Sequence, residues 1–200
     1  MLTAWGYEID GTQLPPLLTV EAFDDMTGGR YAGDLRAASA LGAASQAVRN
    51  ACGWHISPQL ECTATPLLVQ PRLVALPANA VTAVESVTEN GVELAEGEYE
   101  WRRDGLVRRA CFERWPSNWD ALTIAYTAGY DAGAVPDLAE AVRAIAEGVI
   151  AIAGSAGVRS ESADGVTVSY SSDASSVAAA LTEQQRSALV PYRLVMAHAT

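Results

Sequence analysis

The stretch 36–58, RAASALGAASQAVRNACGWHISP, limits the possible folds more than any other. Leu41, Ala44, Val48 and Cys52 fall at i, i+3, i+7 and i+11, which is one face of a helix. The face is narrow and built of small side chains. Such a face lets another element come close, so it predicts packing against a second helix. Gly53 suits the position just past a helix end, where positive φ carries no Cβ penalty. Trp54 and Ile56 then lead into Pro58, so the spacing predicts a helix over about 33–52 that ends in an aromatic turn.

A second long helix is predicted over about 136–154. Pro136 fits a first helical turn, and Asp137 and Glu140 lie near the positive end of the helix dipole. Leu138, Val142, Ile145, Val149 and Ile152 form its apolar stripe, with Ala141, Ala146 and Ala153 beside it. Two shorter helices carry their own start signals. Thr19 can cap a helix running to Met26, which Gly28-Gly29 ends. Thr182 with Gln185 makes a capping box for a last short helix leading to Pro191.

Between the two long helices the apolar period changes to two. Candidate strands are 61–69, 72–76, 81–88, 99–102, 106–109 and 121–126, and Asn90-Gly91 and Asp104-Gly105 give the strongest hairpin signals. The expected fold class is therefore α+β: a helical core with an antiparallel β-sheet or small sandwich inserted over about 61–127. Residues 1–18 show no periodicity and read as an extended N-terminal arm, disordered or laid on a neighbouring molecule. Residues 19–193 read as one domain carrying the insertion, and 194–200 as a C-terminal tail. The Ser-, Ala- and Gly-rich segment 158–180 reads as a loop or edge strand, since Val166, Val168 and Tyr170 alternate.

Composition narrows the function classes. Half of the 200 residues are apolar, enough for a real core. No stretch reaches the roughly 20 apolar residues of a membrane helix, so no membrane partner is expected. MLTAWGYEID has neither a basic nor an apolar signal-peptide region, so the chain is expected to be soluble and intracellular when made. The net charge is −11, and all 13 basic residues are Arg. An acidic chain is a poor ligand for the DNA backbone, whose binding needs cations that displace counterions.

No residue set carries a mechanism. Cys52 and His55 are three apart, yet nothing in the sequence orients the histidine as a base, and a packed helix end explains both. Cys52, Cys62 and Cys111 have neither the even count of a disulfide framework nor CxxC spacing, and each is expected to be a small buried apolar residue. His55 and His198 are too far apart for a histidine metal site. Acidic residues form no paired motif, and neither a P-loop nor a GxSxG turn is present. Catalytic, cofactor-binding and metal residues are accordingly not expected, nor is any cofactor.

Two groups suggest surfaces instead. Arg102 and Arg103 precede the Asp104-Gly105 turn, and Arg108 and Arg109 follow it, with Arg114 beyond. A basic patch for nucleic acid is one reading. The overall charge favours a solvated face or a salt-bridged subunit contact, with Glu98, Glu100 and Glu113 as partners. Trp101, Trp115 and Trp119 could form a carbohydrate platform, but aromatics near a sheet more often serve as core or interface anchors. Subunit-interface candidates are thus Arg102, Arg103, Arg108, Arg109, Trp115 and Trp119.

The order of these features resembles the gp6-like, HK97-type head–tail connector, or adaptor, family of tailed phages. The residues that carry the likeness begin with Thr19-Val20-Glu21 and the helix ending in Cys52-Gly53-Trp54-His55-Ile56. Leu76-Pro77 before the 81–87 strand, Asn90-Gly91, and Trp115-Pro116 with Trp119 follow. Then come Tyr126-Thr127-Ala128-Gly129-Tyr130 ahead of Pro136-Asp137-Leu138, the 157–162 segment GVRSES, and 189–193. The resemblance spans about 17–194. It implies a non-enzymatic virion protein of the neck, made in the host cytoplasm. Its subunits would form a twelve-fold ring below the portal protein. That ring would extend the DNA channel for genome packaging and ejection, and support a stopper, head-closure or tail-completion protein. Genomic DNA would pass through without sequence-specific binding. The apolar end of the chain, Tyr192, Arg193, Leu194, Val195 and Met196, is expected to dock on a neighbour, the portal foremost, because such a terminus is otherwise a sticky patch. The alternative is a β-rich module binding carbohydrate or a host surface.

Overall fold

Helices and strands follow one another along the chain in the order β1 (Tyr7–Ile9), α1 (Val20–Met26), α2 (Ala37–Cys52), β2 (Leu60–Ala64), β3 (Leu67–Gln70), β4 (Leu73–Ala75), β5 (Val81–Glu89), β6 (Val92–Glu93), β7 (Tyr99–Trp101), β8 (Leu106–Arg109), β9 (Leu122–Ala128), α3 (Pro136–Gly154), β10 (Ser160–Ala163), β11 (Val166–Ser169) and α4 (Glu183–Ala188). Short 3-10 turns occupy Ala132–Ala134 and Val190–Tyr192. This computed structural model describes residues 1–111, 113–118, 120–154, 160–163, 166–169 and 181–194. Every strand pair is antiparallel, so the class is α+β. The chain divides into two compact units. One comprises Met1–Pro15, Arg49–Val135 and Val190–Thr200, and the other Pro16–Val48 and Pro136–Leu189.

The second unit holds the helices. The Thr19 hydroxyl accepts the Ala22 N–H at 3.2 Å and opens α1, whose Phe23 is buried and stacks on Tyr31 at 5.2 Å. Helix α2 begins at Ala37, four residues later than its spacing suggested. Gly33 takes φ +75°, and the Asp34 carboxylate accepts the Arg36 N–H at 2.9 Å, so 33–36 form a turn outside the helix. The small face is buried as expected, through Ala37, Ala40, Leu41, Ala44 and Val48. At Ser45 its neighbour is the bend at Leu17: the Leu17 N–H donates to the Ser45 hydroxyl at 2.9 Å, and that hydroxyl donates to the Leu41 carbonyl.

Helix α3 buries Leu138, Ala141, Val142, Ile145, Ala146 and Ile150. Val149 and Ile152, expected at the centre of the stripe, are only half-buried, because Ile150 takes the inward position. On its outer side Arg143 pairs with Glu140 and Glu147. The Thr182–Gln185 capping box opens α4 with both reciprocal bonds formed. Within the segment read as loop or edge strand, β10 and β11 pair with Ser160 opposite Ser169 and Ala163 opposite Val166. Tyr170 lies outside the described residues.

The first unit holds two sheets, five-stranded in the order β1-β2-β9-β5-β6 and four-stranded in the order β3-β4-β8-β7. The expected single strand over 61–69 is two strands in different sheets, split at Thr65-Pro66, where proline cannot donate to a ladder. Asn90-Gly91 closes the β5–β6 hairpin with both residues at positive φ, 51° and 81°, as a type I′ turn demands.

The N-terminal arm differs most from expectation. It is extended, but β1 lies on this chain's own sheet, with Tyr7 opposite Ala64 and Ile9 opposite Cys62. Tyr7 and Ile9 are buried and Glu8 faces out, so two side chains three positions from end to end hold the arm in place.

Candidate functional site

The turn after α2 is densely hydrogen-bonded. Trp54, His55 and Ile56 have no exposed surface. The Tyr7 hydroxyl lies 2.8 Å from His55 Nδ1 and accepts the His55 N–H at 3.0 Å. His55 Nε2 lies 3.0 Å from the Ala128 carbonyl, which can only accept. Nε2 therefore carries the proton, and Nδ1 accepts from the tyrosine. Burial holds this imidazole neutral, with its pKa lowered to about 4.

Arg49 is buried beside it, and no described carboxylate pairs with it. Its Nε donates to the His55 carbonyl at 2.9 Å, and its Nη2 donates to those of Pro15 and Ser57, each at 2.8 Å. Desolvation lowers its pKa to about 10, still charged at neutral pH. The Cys52 thiol is buried and pushed up to about 11 by desolvation. A thiol that stays protonated next to an imidazole whose two nitrogens are already engaged makes no nucleophile–base pair. The cluster ties the end of α2 to β1 and β9.

Cys62 is also buried, but Cys111 is exposed, at φ +51° in the turn after β8. That turn must reverse direction at the surface, so the expectation of three buried cysteines fails at the third. Among the described residues no group of three His, Cys, Asp or Glu side chains is placed to hold a metal ion, and no helix is long and apolar enough to cross a membrane.

The arginines separate into two environments. Arg109 is buried, with Glu113 at 2.8 Å, Glu89 at 3.2 Å and Glu98 at 3.8 Å. Its Nη1 also donates to the Glu98 carbonyl at 2.9 Å, whereas the approach to Glu89 is an ion pair without hydrogen-bond geometry. Because Glu89 ends β5 and Arg109 ends β8, this guanidinium links the two sheets. Arg102, Arg103 and Arg108 are exposed. Arg102 pairs with Asp104 at 3.0 Å and Arg108 with Glu100. No described residue pairs with the Arg103 side chain.

The hairpin bearing them is rigidly seated. Gly105, at φ +82°, approaches so closely that a Cβ there would lie 2.3 Å from the Ala78 carbonyl oxygen. The Val81 N–H also donates to the Arg103 carbonyl at 2.9 Å.

Trp115 is buried, with the Arg109 guanidinium 5.8 Å from its ring centre, so it offers no free face to a sugar. Trp101 on β7 is 38% exposed, and Trp119 lies outside the described residues. At the C-terminal end Tyr192 is buried edge-on against Tyr130 at 5.6 Å, and its carbonyl accepts the Trp54 Nε1–H at 2.7 Å. The Leu194 N–H donates to the Cys52 carbonyl at 2.8 Å, and the Arg193 carbonyl accepts from Asn79 Nδ2. Residues 192–194 therefore bind within their own unit. Val195 and Met196 lie outside the described residues.

Sequence reasoning missed an acidic cleft of about 330 Å³ on the outer face of the five-stranded sheet. Glu8, Asp10, Glu61 and Glu85 line it, from β1, β2 and β5. All four are exposed, and no described cation lies within ion-pair distance of any of them. Only the β1 pairing and the outward parity of Glu8, Glu61 and Glu85 could have revealed it.

No protein-family model matches the sequence, and no curated protein does. Two solved structures match nearly the whole chain. One is described as the neck of an empty GTA (gene transfer agent) particle computed with C6 symmetry. It is 22% identical, covers 94% of this chain and 95% of its own, and gives a TM-score of 0.57. The other, the neck of a native GTA particle computed with C12 symmetry, is 21% identical over the same shares, with a TM-score of 0.57. This chain shares their fold. The shared fold spans 94% of the chain.

Proposed function

We propose that the protein is a structural subunit of a phage-like virion neck, a head–tail adaptor whose copies close into a ring of twelve beneath the portal protein. The reading rests chiefly on the end-to-end fold likeness to neck subunits of symmetric particles, at 94% coverage of this chain. The Cys52–His55 turn supports it, because both ring nitrogens of His55 are engaged in structural hydrogen bonds. In this role the ring continues the DNA channel and offers its far side to a stopper or tail-completion protein. DNA slides through without base contacts, as the net charge of −11 favours. The C-terminal residues beyond Leu194 reach the portal, and the arginine hairpin meets a neighbouring subunit.

Electron microscopy of purified particles tests the reading. A ring of this chain between head and tail is expected. Particles that carry complete necks without the chain would overturn it.

A further inference from the structure

A ring of identical subunits needs a heterologous contact, in which one patch meets a different patch on the next copy. Two patches of the β unit have opposite charge and suit that geometry. One is the tip of the β7–β8 hairpin, where Arg102 and Arg103 stand exposed beside Trp101. Five of the chain's 13 arginines lie between 102 and 114, in a protein that is otherwise strongly acidic. The hairpin is held by the close approach of Gly105 to Ala78, by the Val81–Arg103 backbone bond, and at its base by Arg109 with its three glutamates. Little ordering remains to be done on binding, which favours association. The other patch is the cleft of Glu8, Asp10, Glu61 and Glu85, with which no described cation pairs.

We propose that the Arg102–Arg103 hairpin tip of one subunit docks into the Glu8, Asp10, Glu61 and Glu85 cleft of the next copy. This rests on the ring reading above. Each copy then carries one donor and one acceptor, so the contact repeats until the rotation closes. Charge complementarity selects the second copy as occupant. Among the described residues the exposed guanidinium of Arg103 lacks an acidic partner, and the four carboxylates lack a basic one, so each patch supplies what the other is missing. Added salt should weaken the contact, since both sides are solvent-facing.

The test uses reversed charges in particles assembled in a host lacking its own copy of this chain. One variant carries Arg102→Glu with Arg103→Glu, the other Glu8→Arg, Asp10→Arg, Glu61→Arg and Glu85→Arg. Each alone sets like charges against like around the whole ring, and at least a tenfold loss of complete particles is expected. Expressed together, the variants can alternate around the ring with every contact complementary, and particle yield should recover. Melting curves of the purified variants, expected within a few degrees of the unaltered protein, separate misfolding from lost contact. If either variant alone assembles normally, or the pair does not recover while both fold, the inference is overturned and the ring stands. If the unaltered chain is itself absent from particles, the ring reading falls and takes the inference with it.

Discussion

Tyr7 and His55 meet twice, the phenol giving its proton to Nδ1 at 2.8 Å and taking the backbone N–H at 3.0 Å. One hydroxyl thus satisfies two buried groups on a turn 48 residues away, and it fixes which imidazole nitrogen is protonated. Tyr7→Phe keeps the ring but leaves both His55 groups without a partner in a fully buried site. Each such loss typically costs about 1–3 kcal/mol. A drop of about 3 kcal/mol in unfolding free energy is expected by denaturant titration, with the unfolding slope unchanged. A loss below about 0.5 kcal/mol would mean that water replaces the hydroxyl.

The same histidine should give stability a pH dependence. Its folded pKa, lowered to about 4 by burial, lies below the ordinary 6.5. Between those values the unfolded chain binds a proton that the folded chain refuses, so stability rises with pH across that window. Above about 6.5 the contribution is complete, and by pH 4 it is lost, about 3 kcal/mol in all. His55→Gln should be less stable at neutral pH, yet flatter between pH 4 and 6.5. Parallel pH profiles for the two proteins would contradict the neutral, bonded imidazole.

Arg109 and Arg108 are neighbours in sequence with opposite expectations. Arg109 is buried among Glu89, Glu98 and Glu113, whereas Arg108 pairs with Glu100 in water. Removing one partner of a buried ion pair costs about 3–5 kcal/mol, reduced here because Glu98 and Glu113 remain partly hydrated. Arg109→Met should therefore cost about 2 kcal/mol and Arg108→Met under about 0.5 kcal/mol, both read by thermal unfolding. Equal effects would argue against Arg109 as the link between the two sheets.

These cases show what the sequence could reveal. Period-3.6 and period-2 patterns, caps and Asn-Gly or Asp-Gly turns are local, and they located α1, α3, α4 and both hairpins within a residue or two. Arg108 and Arg109 look identical to a local reading, because burial depends on where Glu89 arrives from another sheet. The strand at Tyr7–Ile9 has only two inward side chains, too few for a period to show. The acidic cleft gathers residues 8 to 85, so it exists only once the sheet order is known. The inward seating of Tyr192 leaves no local signal, because its partners, Trp54 and Tyr130, lie far away in the chain.

Gly129 tests a backbone approach that no side chain reveals. It takes φ +125°, and a Cβ there would stand 2.3 Å from the Pro58 carbonyl oxygen. The Gly129 N–H donates to the Ala80 carbonyl at 2.9 Å, so the strand end cannot shift without losing that bond. Gly129→Ala combines a disfavoured φ with a backbone clash and should cost about 2–3 kcal/mol. A melting temperature within about 1 °C of the unaltered protein would show that the β9 end yields easily, since about 1 kcal/mol shifts a chain this size by about 2–4 °C.

The C-terminal segment is bonded into the β unit through Tyr192 and Leu194. Up to that residue the chain is bonded inward: Trp54 Nε1–H to the Tyr192 carbonyl, the Leu194 N–H to the Cys52 carbonyl, and the Tyr192 ring on Tyr130. A deletion from 190 onward therefore leaves the indole N–H of a fully buried Trp54 without its acceptor and uncovers apolar surface around Tyr130. It should lower unfolding free energy by about 2–4 kcal/mol, combining a lost hydrogen bond with a lost buried side chain. Deletion of 195–200 removes none of these bonds. If residues beyond Leu194 reach the portal, that shorter deletion lowers particle yield, and a melting curve of the same variant separates lost assembly from lost folding. A normal yield from the 195–200 deletion would exclude the tail as the docking element and leave the portal contact to some other surface.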